Sequence, residues 1–159
     1  MTTDAPRTRD DEHTGAEVLL VESFLDALAA SELDRAVSML AEDVEYSNVG
    51  LPTIWGRLQV RRALGGLTRP AIGFEVRTHS IAADGPSVLT ERTDVITIGR
   101  FRAQFWVWGR FDVHDGRITM WRDSFDVVDV TRGMVRGLVG TVVAGLRPAL
   151  PTREDAPGR

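Results

Sequence analysis

The sequence predicts an α+β fold. N-terminal helices pack on one face of a strongly curved, mostly antiparallel sheet, and together they form a cone-shaped pocket. Three observations carry this. Apolar residues recur at helical spacing near the start of the chain. From about residue 70 to about residue 130 the pattern turns to strands. Short, well-marked turns join those strands, which favours hairpins over long crossovers. A curved sheet covered by helices has a closed apolar end and an open mouth, with room for one small ligand.

The first helix is expected to start at Thr14, since Thr14 and Glu17 have capping-box spacing. Val18, Val21, Leu25 and Leu28 then share one helical face. Ser31 followed by Asp34 resembles a second cap, with Leu33, Val37 and Leu40 extending the stripe. Val44, Tyr46 and Asn48 alternate with Glu45 and Ser47, as a strand requires, and Gly50 and Pro52 end it. Residues 57–67 suggest a third short helix, closed by Pro70. Four strands follow, at residues 74–81, 88–98, 102–113 and 117–128. Ala83-Asp84-Gly85-Pro86 and His114-Asp115-Gly116-Arg117 are the clearest turns. A last helix is expected over residues 131–146. Residues 1–13 and 147–159, rich in charge, proline and small residues, are expected to be disordered tails. One domain over residues 14–146 remains.

Composition excludes several chemistries. The chain of 159 residues has no cysteine, hence no disulfide, thiolate metal site or cysteine nucleophile. All 19 basic residues are arginine, so there is no Schiff-base or phosphate-loop lysine. The net charge of −4 and the scattered arginines argue against nucleic acid. No run approaches the roughly 18 apolar residues of a membrane span. The charged start lacks the apolar stretch of a secretory signal. These features predict a soluble cytoplasmic protein. None of His13, His79 and His114 pairs at metal-ligand spacing, and His79 reads as a surface or satisfied residue.

Arg92 and Asp94 lie two apart and so share one face of their strand. Asp123 lies between Trp121 and Phe125 at the same period, and Tyr46 and Asn48 share a face of the early strand. Charge among apolar neighbours is costly to bury unless paired. These residues therefore face solvent, form structural ion pairs, or serve a site. In the strand at 102–113, Phe105, Val107, Phe111 and Val113 form one row, and Trp106, Trp108, Arg110 and Asp112 the other. With its middle apolar on both faces, one row can line the cone. The other packs on a partner subunit or beneath helices of the same chain.

Three segments decide between these options: Tyr46-Ser47-Asn48, Glu91-Arg92-Thr93-Asp94-Val95 and Trp121-Arg122-Asp123-Ser124-Phe125-Asp126. In order and approximate spacing they resemble the motifs of the limonene-1,2-epoxide hydrolase family, over roughly residues 16–130. The sequence departs from that pattern at Gly50, where family members often have proline, and in its glycine-bearing C-terminal segment. The resemblance implies a cystatin-like, NTF2-like cone, usually a homodimer, with no metal or organic cofactor. It implies hydrolysis of a lipophilic epoxide to a vicinal diol, with water as co-substrate and no covalent intermediate. Asp123 takes the proton from water, Tyr46 and Asn48 hold that water, Asp94 protonates the epoxide oxygen, and Arg92 bridges the two acids. Alternation and position in the resemblance make Phe105, Val107 and Phe125 the pocket wall. The same cone serves ketosteroid isomerases and polyketide cyclases, and a non-catalytic ligand carrier is a further alternative.

Overall fold

The computed structural model describes residues 9–67 and 69–142. Four helices and six strands follow one another as α1 (Arg9–Ala29), α2 (Leu33–Ser38), β1 (Leu40–Asn48), β2 (Ile54–Trp55), α3 (Arg57–Leu64), β3 (Ile72–Asp84), β4 (Ser87–Ile98), β5 (Phe101–His114), β6 (Arg117–Ser124) and α4 (Val127–Val142). The expected tail at 147–159 and the end of the expected last helix lie outside the described residues. So does most of the tail expected at 1–13, whose residues from Arg9 onward instead belong to α1. The helix therefore begins ahead of Thr14.

Ser31 is the second correction. It is not a cap of α2; it ends α1, at φ 60°. Glu32 N–H donates to Ala27 O at 2.8 Å and Ser31 N–H to Leu28 O at 3.0 Å, the pairing of a left-handed helix end. Leu40 is likewise not on a helix: α2 stops at Ser38 and Leu40 opens β1 beside Ile118. The third helix stops at Leu64, ahead of the expected 67.

The strands form one sheet in the order β2-β1-β6-β5-β4-β3. Hairpins join β3 to β4 through Gly85-Pro86 and β5 to β6 through Asp115-Gly116. Asp115 and Gly116 both have positive φ, as the tight turn matching strand twist requires. Only β1 and β6, among the described strands, run parallel, with Tyr46 beside Trp121 and Asn48 beside Asp123. β6 stops at Ser124 rather than at 128. Asp126 Oδ1 accepts the Val128 N–H at 2.7 Å and caps α4, which therefore starts ahead of the expected 131.

Helices α1–α3 and the inner face of the sheet share one core. Val21, Phe24, Leu25 and Leu28 of α1 meet Val44, Phe111, Ile118 and Trp121 of the sheet. Phe24 stands edge-on to both Phe111 and Trp121. α4 has a different task. β6 pairs with β5 only from Trp108 onward, so the earlier part of β5 has no strand on that side. α4 lies there: a Cβ at Gly133 or Gly137 would overlap the carbonyl oxygen of Gln104 or Arg102. Covering a bare strand edge with a helix prevents stray pairing, and glycine permits the close approach.

Candidate active site

The inner face of the sheet carries a cavity of about 330 Å³. Its wall is apolar, with Leu28 of α1, Leu64 of α3, Phe74 of β3 and Phe105 and Val107 of β5. Phe125 and Val130 line it from the segment after β6. Tyr46, Asn48, Asp94 and Asp123 also face it.

Strand period brings these polar groups together. Thr90, Arg92 and Asp94 project from one face of β4. Asp123 projects from β6, two strands away, and Arg92 reaches across β5 to it. Arg92 Nε donates to Asp94 Oδ1 at 2.9 Å and Oδ2 at 3.2 Å. Nη2 donates to Asp123 Oδ2 at 2.6 Å. The arginine is 1% exposed and both acids are buried. One cation therefore holds two carboxyls in a low-dielectric setting, where each contact is strong and the loss of any partner is costly.

The surroundings set the protonation of the group. Burial pushes the Asp94 carboxyl up to about 6, against the pull of the Arg92 charge and hydrogen bonds, and the nearby Asp123 charge adds to the rise. For Arg92, burial alone favours the neutral form. The charges of Asp123 and Asp94, with their hydrogen bonds, outweigh burial and hold the guanidinium protonated. Burial likewise pushes the Tyr46 hydroxyl up to about 12, so it stays neutral. Asn48 Nδ2 donates to that hydroxyl at 2.7 Å, and the Tyr46 ring stacks on Trp121 at 4.1 Å. Asp123 Oδ1 is buried with no hydrogen-bond partner among the described residues.

Four of the five polar residues expected from sequence, Tyr46, Asn48, Asp94 and Asp123, thus line one apolar cavity together with Phe105, Val107 and Phe125. Arg92 lies beneath the lining rather than on it. The outer row of β5 divides. Trp106 is half-buried and stacks on His79, whose Nε2 lies 2.8 Å from Thr93 Oγ1. Trp108 remains 58% exposed. Sequence reasoning missed Thr90 and Gly109, which touch Arg92 from below. Both left a signal. Thr90 continues the period of Arg92 and Asp94, and a glycine within an aromatic strand marks a close approach.

Comparison with known proteins points to one family. Residues 15–136 match the family described as limonene-1,2-epoxide hydrolase catalytic domain. The chain is 48% identical over 130 residues to epoxide hydrolase EphG of Mycobacterium tuberculosis, covering 82% of this chain and 87% of that protein. A solved M. tuberculosis LEH-like epoxide hydrolase superposes with TM-score 0.82 at 47% identity, over 86% of this chain and 97% of that one. A protein of ketosteroid isomerase-like fold from Catenulispora acidiphila reaches TM-score 0.65 at 16% identity, over 73% of this chain and 92% of that one, and shares the fold alone. By its sequence and its architecture together, the chain belongs to the limonene-1,2-epoxide hydrolase family.

Proposed function

We propose that this protein hydrolyses a lipophilic epoxide to a vicinal diol in one step, by general acid–base attack of water. The observation that carries the reading is Arg92 bonded to two buried acids that line an apolar cavity. Epoxide opening needs a proton removed from water as it attacks carbon. It also needs a proton delivered to the departing oxygen. Asp123, ionised, accepts the first; its buried Oδ1, without a hydrogen-bond partner among the described residues, is the acceptor left for that water. Tyr46 and Asn48 hold that water with a hydroxyl and an amide. Asp94, protonated, donates the second proton to the epoxide oxygen as the carbon–oxygen bond breaks. Asp123 then carries the proton and Asp94 the charge, and Arg92 steadies whichever carboxyl is ionised. Each general catalyst contributes about 10²–10⁴-fold.

The apolar wall supports a terpene, fatty-acyl or sterol epoxide. The test is diol formation from a panel of such epoxides by wild type and Asp123→Asn. The variant is expected to lose at least ~10²-fold in kcat; a variant as active as wild type would overturn the role of Asp123. A single turnover in heavy-oxygen water checks the one-step route, with label expected in the diol and none in Asp123.

A homodimer is part of the same reading. Trp108 and Leu89 leave an exposed apolar patch on the outer face of the sheet. Trp108→Arg is expected to shift sedimentation from dimer to monomer; an unchanged dimer would place the interface elsewhere. The acidic, charged composition is in keeping with a cytoplasmic location, which cell fractionation tests.

A further inference from the structure

The two carboxyl partners of Arg92 occupy only Nε and Nη2. The remaining nitrogen, Nη1, donates to Thr90 Oγ1 at 3.2 Å. Thr90 is itself buried and lies 3.5 Å from the carbonyl oxygen of Gly109. Gly109 stands opposite Thr90 on one side and opposite Asp123 on the other, so these three residues form a row across β4, β5 and β6. A Cβ at Gly109 would overlap both Arg92 Nη1 and Thr90 Oγ1. The guanidinium therefore crosses β5 over the one position of that row with no side chain.

We propose that Thr90 and Gly109 are positioning residues: they form a seat that fixes the plane of the Arg92 guanidinium, so that one cation meets Asp94 and Asp123 at once. This rests on the roles given above to the two acids. A guanidinium is a rigid planar fork, so fixing one nitrogen constrains where the others aim. A buried N–H left without an acceptor drives the group to turn until it finds one. With the Thr90 hydroxyl removed, Arg92 turns and its hold on the carboxyls loosens. Among the described residues, the ionisable groups facing Asp94 are Arg92 on its own strand, Asp123 from β6 and Tyr46 from β1. Its cross-strand neighbours, Val76 on β3 and Phe105 on β5, carry no charge. A looser Arg92 therefore raises the Asp94 titration further.

The test compares wild type, Thr90→Val, Thr90→Ser and Asp123→Asn by two readouts. One is carboxyl-carbon NMR titration of Asp94 in the free protein. The other is steady-state kinetics on the best epoxide of the panel. Thr90→Val is expected to move the Asp94 titration up by about half a pH unit or more, since opposite charge favours the ionised form. It is expected to lower kcat about tenfold while KM stays within about twofold, because neither Thr90 nor Gly109 lines the cavity. Thr90→Ser, which keeps the hydroxyl, is expected to restore both. A Thr90→Val protein with wild-type titration overturns the seat, and so does a Thr90→Ser protein as impaired as Thr90→Val. Asp123→Asn with wild-type turnover, or a wild type that opens no epoxide, overturns the hydrolase reading instead; the titration still decides the seat. Gly109→Ala is expected to melt early, so Thr90 carries the test, with Thr90→Ala in reserve if the valine variant does not fold.

Discussion

Asp94 and Asp123 are the same chemical group in different settings, and the arginine between them makes the pair useful. Asp94 keeps its proton to about pH 6, far above an exposed carboxyl, because it is buried. As a general acid it works only while protonated. Its working fraction therefore falls as pH rises through about 6, and kcat/KM is expected to fall with it. A pH–rate profile from 5 to 9 checks this; a flat profile across about 6 would remove Asp94 from the role of acid. Much of the site is legible in the sequence at this scale. Arg92 with Asp94, Tyr46 with Asn48, and Asp123 flanked by Trp121 and Phe125 are all written in period two. Their convergence is not, because no local pattern states that Arg92 crosses β5 to meet β6.

Single residues also decide where elements end, and there the sequence misleads. Ser31 looks like the start of a helix, yet its left-handed backbone closes the previous one. A hydroxyl residue before an acid is common to both situations, and only the backbone angle separates them. Glycine reaches that angle without strain, so Ser31→Gly is expected to raise stability by about 0.5–1 kcal/mol. Urea unfolding measures it, and a destabilised variant would show that the serine hydroxyl matters more than the angle. The boundary of β6 and α4 fails for a similar reason. Phe125, Val127 and Val128 extend an apolar strand pattern, but Asp126 accepts the Val128 N–H and turns the chain into a helix. α4 itself reads as an apolar segment weakened by glycine. In the fold Gly133 and Gly137 face β5, and Val128, Met134, Val135, Leu138 and Val139 are among the exposed side chains. Its periodicity is real but inverted.

At the scale of the molecule the sheet was legible as hairpins, since Gly85-Pro86 and Asp115-Gly116 announce themselves. The short strand β2 was not, having two residues and no pattern of its own. The parallel pairing of β1 with β6 was not legible either. Turn chemistry predicts only neighbours in sequence, whereas Ser47 and Arg122, which meet across this seam, are 75 positions apart. No helix among the described residues is long and apolar enough to cross a membrane.

That seam sets the order of events when the chain folds. Tyr46 and Asn48 are joined to Asp123 only when the first strand meets the last. Until then Asp123 can meet Arg92 across the β4-β5-β6 hairpins but lacks the hydroxyl and amide beside it. Pairings between distant segments form slowly, because the loop between them must first be closed. Catalytic competence should therefore arrive last in time. In refolding from denaturant, backbone circular dichroism is expected to recover before diol formation does, with activity following the slowest phase. Simultaneous recovery would mean that β1 and β6 meet early, and that the distant strands nucleate the sheet instead of completing it.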